Sequence, residues 1–125
     1  MKDALFSYLQ SEGLQPHIDD DGDIAFKYQM LNFCFLIDEK DHQFLRLVLP
    51  NIFGVDDNNR QEVLQACNTV SLAIKVAKAV IVRQNVWILC EQLVDSTPNF
   101  VDIVPRSLQI LIDARKRFID EIQKS

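Results

Sequence analysis

The residues with the most evident capacity for chemistry form an acidic cluster, Asp19-Asp20-Asp21-Gly22-Asp23. Acidic oxygens at alternate positions before a glycine are the ligands of an EF-hand calcium loop. With Gly22 at the sixth position of such a loop, however, Tyr28 falls at the twelfth, where a bidentate Glu is required, and the flanking residues alternate as strands do. We therefore interpret the cluster as a solvated turn and expect no metal site.

Histidine and cysteine are the other candidates for catalysis. His17 and His42 form no His-Glu-x-x-His pair, and the chain has no Gly-x-Ser-x-Gly elbow, phosphate-binding loop or dinucleotide fingerprint. Cys34, Cys67 and Cys90 are too far apart for a Cys-x-x-Cys motif, and their apolar neighbours are typical of small buried side chains. We expect no enzyme activity and no cofactor. A hydrolase or transferase would require one histidine to lie beside a cysteine or carboxylate in a cleft.

Composition indicates one acidic globular domain spanning residues 1–125. The chain is 48% hydrophobic and 25% charged, which is enough to bury a core without a disulfide or metal. No apolar run is long enough to span a bilayer, and the N-terminal residues become polar too early for a signal peptide, so we expect a cytoplasmic protein with no membrane partner. The net charge of -5 and the lack of a basic stripe argue against a nucleic-acid partner.

Periodicity in the first half predicts a short helix followed by strands. Leu5, Tyr8 and Leu9 share a helical face, and Gly13 stands where a left-handed cap would end the helix. Alternating apolar side chains then predict strands at 24–28, 31–37 and 44–49, the last ended by Pro50. Their short connections favour an antiparallel meander.

The second half predicts a helix of about four turns starting near Asn59, strands at 76–83 and 86–94, and a long helix after residues 96–98. Pro105 leaves two alternatives for this last helix: it starts at Pro105, or a helix led by Pro98 bends there. The order is helix, strands, helix, two strands, helix. It predicts an α+β domain with an antiparallel sheet of about five strands, covered by helices on one side.

Strand 86–94 carries the strongest interaction signal, because it is apolar on both faces. Val86 and Ile88 lie on one face with Cys90, while Trp87 and Leu89 lie on the other with Leu93. A strand that is apolar on both sides must be covered on both sides. If helices cover one face only, the other meets a second subunit or a client. We therefore selected four residues as candidate partner contacts: Val86, Trp87, Ile88 and Leu89.

Four segments resemble the YbjN-like bacterial domains: DDGDIAFKYQ at 20–29, FLRLVLPNI at 44–52, and the longer segments 66–82 and 100–118. The resemblance covers nearly the whole chain, although no one motif is catalytic or diagnostic. It implies a fold like that of the type III secretion chaperones and a small cytoplasmic protein that binds other proteins. The family is often described as proposed regulators of sensory transduction.

The resemblance also implies a homodimer, since the secretion chaperones dimerise and hold extended client segments in hydrophobic grooves. The leading hypothesis is thus a non-enzymatic protein-binding module, chaperone-like or regulatory, that engages a partner segment on its sheet face. The alternative is a small-ligand sensor with a pocket between the sheet and the helices, which an apolar cavity with convergent polar groups would favour.

Overall fold

A computed structural model describes residues 1–124 as one six-stranded antiparallel sheet with three helices. The sheet order is β1-β2-β3-β4-β6-β5. This confirms the predicted α+β class and element order; the sixth strand is the two-residue β1, which pairs with β2. In chain order the elements are α1 (Lys2–Ser11), β1 (His17–Ile18), β2 (Ile24–Tyr28), β3 (Leu31–Leu36), β4 (Phe44–Gly54), α2 (Arg60–Ala73), β5 (Ala77–Val82), β6 (Asn85–Leu93) and α3 (Phe100–Gln123).

Helix α1 ends as its sequence predicts. Gly13 has φ +76°, and its N–H donates to the Gln10 carbonyl at 2.9 Å. The Leu14 N–H donates to the Leu9 carbonyl at 3.1 Å, which completes a Schellman cap. The cap turns the chain toward β1 and leaves Leu9 in the core.

One hydrophobic core lies between the helices and one face of the sheet. Helix α3 contacts β4, β5 and β6, and α2 contacts β5 and α3. Tyr8 of α1 and Phe100 of α3 have ring centroids 6.1 Å apart, which links those two helices. Each strand from β2 to β6 contributes alternate side chains to this core, which we call the helix side of the sheet. Its fully buried strand residues include Ile24, Phe35, Leu45, Leu47, Val86, Ile88 and Cys90.

The prediction that Pro50 ends its strand is wrong, since β4 continues to Gly54. Proline lacks the N–H that a sheet ladder needs, so it is tolerated at bulges. Pro50 lies at one: the pairing of β4 with β6 shifts between Leu49 and Phe53, so residues 50–52 stand opposite the single residue Trp87. The sequence pattern identified the proline but not the bulge that accommodates it.

Helix α3 begins at Phe100 and passes through Pro105, so the alternative in which the helix starts at Pro105 is wrong and the start at Pro98 lies two residues too early. Pro105 is the sixth helical residue and cannot donate to the Val101 carbonyl one turn earlier. Within residues 1–124, no helix combines the length and apolarity needed to cross a membrane.

Candidate interaction site on the open sheet face

The side of the sheet opposite the helix side carries a second set of side chains, here called the open face. Alternation along each strand defines it, and its apolar members lie outside the core cluster. The open face comprises His17 of β1, Ala25 and Lys27 of β2, Asn32, Cys34 and Leu36 of β3, Phe44, Arg46 and Val48 of β4, Lys78, Val80 and Val82 of β5, and Trp87, Leu89, Glu91 and Leu93 of β6.

Strand β6 divides the four candidate partner contacts between the two sides. Val86 and Ile88 are fully buried on the helix side, so a partner on the open face does not reach them. Trp87 and Leu89 are half-buried on the open face, and Leu93 at the end of the strand is 82% exposed. The four predicted contacts therefore comprise two core residues and two residues of the open face. Trp87 and Leu89 remain candidates.

The β4 bulge fixes the position of Trp87. The indole Nε1–H donates to the Asn51 side-chain oxygen at 3.1 Å. Asn51 has φ +56°, a left-handed conformation that asparagine tolerates better than most residues. The hydrogen bond satisfies the polar atom of the indole and holds the ring against the sheet, with part of its surface exposed.

An apolar row crosses the centre of the open face. Cys34 of β3, Val48 of β4 and Leu89 of β6 are successive cross-strand neighbours, and Val80 pairs with Trp87 at the sheet edge. Val48 is 0% exposed, although it is not part of the helix-side core. The open face is therefore packed well enough to bury a side chain, and apolar side chains from β3, β4, β5 and β6 lie next to one another on it.

A charged cluster borders this row. The Arg46 guanidinium Nε lies 2.7 Å from a Glu91 carboxylate oxygen, and Lys78 binds the other oxygen of the same carboxylate. The bond from Lys78 lowers the pKa of Glu91 below its usual value; burial opposes this shift and Arg46 reinforces it. Within this cluster two cations face one carboxylate, whereas the carboxylates of Asp19 and Asp23 lie beside Cys34 at the other end of the apolar row.

Cys34 is half-buried beside the acidic turn, so only Cys67 and Cys90 fit the prediction of buried cysteines. Ligand atoms of Asp19, Asp23 and Cys34 lie within 4.8 Å of one another, a grouping that could hold a metal ion. The carboxylates already serve the turn: Asp19 Oδ1 accepts the N–H groups of Asp21 and Asp23, each at 2.9 Å.

The thiol of Cys34 is unreactive in this environment. Burial, followed by the charges of Asp23 and Asp19, raises the pKa of Cys34 to about 12, so its thiol is protonated at neutral pH and is a weak nucleophile.

The two histidines lie on different parts of the molecule. His17 of β1 pairs with Ala25, so it lies at the edge of the open face, exposed beside a cavity whose lining residues include no cysteine or carboxylate. His42 is exposed in the turn before β4, in a surface depression that it shares with Asp3, Asp38 and Glu39, so the carboxylate that the sequence analysis required beside a histidine is present there. Neither lining includes a serine, threonine or cysteine that the imidazole could activate.

Among solved structures, the chain is similar to the crystal structure of YbjN, described as a proposed transcription regulator from E. coli. The TM-score is 0.74, and the match covers 96% of this chain and 90% of that chain at 8% sequence identity. No protein-family model and no curated protein sequence matches the chain. The similarity shows that the two proteins share a fold, as the sequence resemblance implied.

Proposed function

We propose that this chain is a non-enzymatic protein-binding module, regulatory or chaperone-like, that holds an extended segment of a partner protein on its open face. The proposal rests on strand β6, which is apolar on both sides. Its apolar side chains are buried on the helix side, whereas those on the open face are partly accessible. The description of YbjN as a proposed transcription regulator is consistent with a regulatory role. With a chain charge of -5, we propose regulation through a protein partner in the cytoplasm rather than through nucleic acid.

The chemistry of the open face indicates what kind of segment it binds. Trp87 is a rigid aromatic group with a satisfied polar atom, the type of residue that dominates interface hot spots. Arg46 and Lys78 outnumber Glu91 in the charged cluster, so we expect a segment with alternating apolar side chains and an acidic residue beside that cluster. The homodimer implied by the sequence resemblance remains a separate proposal, which light scattering measures directly.

The test is affinity purification from cells of the source organism with tagged wild type, Trp87→Ala and Leu72→Ala. Leu72 lies on α2 and is 81% exposed, so its replacement removes an apolar surface group away from the sheet. We expect the recovered partner to decrease on the order of tenfold or more for Trp87→Ala and to be unchanged for Leu72→Ala. Circular dichroism and thermal unfolding establish that both variants fold. Full recovery with a folded Trp87→Ala variant would contradict the proposal.

A small-ligand sensor is the second candidate function, and a specific cavity favours it. A cleft of about 370 Å³ lies between β6 and α3, and its lining combines apolar and polar side chains. This is the feature that distinguishes a ligand pocket from a flat binding surface.

A further inference from the structure

The cleft between β6 and α3 opens on the helix side of the sheet, away from the open face. Lys75 and Val76, which precede β5, close one end of it, and the first turns of α3 form a wall. Its volume of about 370 Å³ lies in the lower part of the range for small-molecule sites. From the groups that line the cleft we infer that it binds a free amino acid with a branched aliphatic side chain, such as leucine.

Two cations in the lining supply the carboxylate site. Lys75 and Arg106 are exposed residues that line the cleft, and neither forms an ion pair with another residue in the range 1–124. One carboxylate, that of Asp102, lines the same cleft and accepts a hydrogen bond from the Asn99 amide at 3.0 Å. The cleft thus carries more positive than negative charge in an acidic protein, and a ligand carboxylate complements the two cations.

The lining also holds acceptors for an ammonium group, the half-buried Gln92 and the exposed Asp102. The Gln92 amide Nε2–H donates to the Ser107 hydroxyl at 2.8 Å, and this hydroxyl donates to the Ile103 carbonyl at 2.7 Å. Ser107 is buried, so this chain of bonds fixes the Gln92 amide. Its carbonyl oxygen makes no hydrogen bond to the described part of the chain, residues 1–124, and together with Asp102 it offers two acceptors for an ammonium.

The rest of the lining is apolar. Ile103 and Ile110 project from α3, and Val76 faces them from the chain before β5. Val76 is 55% exposed and has φ +69°, a conformation that a β-branched residue seldom adopts. Backbone strain of this kind concentrates at ligand sites. A branched aliphatic side chain of a ligand would cover Val76 and fill the space between it and the two isoleucines.

This inference deepens the second proposed function, and it can fail without affecting the open face. The test measures thermal unfolding and calorimetric binding with three probes: leucine, 4-methylpentanoate, which lacks the ammonium, and isoamylamine, which lacks the carboxylate. We expect saturating leucine to raise Tm by about 3 °C or more, 4-methylpentanoate to have a smaller effect, and isoamylamine to have none.

Variants assign the binding to the cleft. We expect Arg106→Gln to weaken leucine binding at least tenfold, and Asp102→Asn to reduce the preference for leucine over 4-methylpentanoate. Lys116→Gln, an exposed change further along the same helix, serves as the matched control and should leave binding unchanged. The absence of binding by leucine, equal binding of leucine and 4-methylpentanoate by wild type, or leucine binding that persists in Arg106→Gln would each overturn the inference. Partner recovery by Trp87→Ala is measured separately and distinguishes failure of this site from failure of the open face.

Discussion

The two sides of β6 use similar side chains for different purposes. On the helix side, Val86 and Ile88 are covered by helices and belong to the single core of the fold. On the open face, Trp87 and Leu89 alternate with them along the same strand but lie outside that core and remain partly accessible. Apolar character alone therefore does not separate a core position from a binding position; what covers each side of the sheet does.

The largest expected effect comes from the helix side. Ile88→Ala removes fully buried methyl and methylene groups beneath the helices, so we expect the free energy of unfolding to fall by about 2–5 kcal/mol. Urea unfolding measures this change. Trp87→Ala, whose side chain is only half-buried, should destabilise the fold less than Ile88→Ala does. A larger loss of stability for Trp87→Ala than for Ile88→Ala would show that the open face contributes more to folding than the helix side, which contradicts this comparison.

A smaller effect is expected at the bulge that positions Trp87. Asn51→Ala removes the hydrogen bond to the indole and places alanine in a left-handed conformation, so we expect a loss of about 1–2 kcal/mol. Asn51→Gly keeps that conformation accessible and should cost less, while still releasing the indole. Chemical unfolding together with Trp87 fluorescence separates the two contributions. Equal stabilities of the two variants would show that the left-handed conformation contributes nothing.

The smallest effect concerns the charged cluster of the open face. Glu91→Gln should cost less than about 1 kcal/mol at neutral pH, because the paired side chains are partly exposed and solvent screens them. The pKa of Glu91 is lowered in the folded state, chiefly by Lys78, so its contribution is present above its unfolded pKa and is lost as pH falls through the lower folded value. The stability difference between wild type and Glu91→Gln should therefore disappear in acid. A difference that grows as pH falls would contradict this assignment.

Periodicity was sufficient for the element order, because alternation and helical spacing are local properties of the chain. It also separated Val86 and Ile88 from Trp87 and Leu89 correctly along β6. It could not show which of these sets the helices would cover, since that depends on how distant segments pack. For this reason the four-residue candidate site combined both sides of the strand.

Two further features depended on long-range structure. The bulge at residues 50–52 exists because β4 pairs with β6, a strand more than thirty residues later, and Pro50 alone favoured the end of the strand. The cleft brings together Lys75, Gln92 and Arg106 from three separate segments, none of which carries a recognisable motif.

The central claim is that the open face, and not the helix side or the helix surface, contacts a partner segment. The most direct measurement places the photo-crosslinking residue benzoylphenylalanine at Leu93 or, as a control, at Leu72, which are 82% and 81% exposed on different parts of the molecule. Irradiation in cells of the source organism should give a discrete adduct with one partner species from position 93 and none from position 72. Equal adducts from both positions, or adducts from position 93 with the mass of two copies of this chain, would contradict the account.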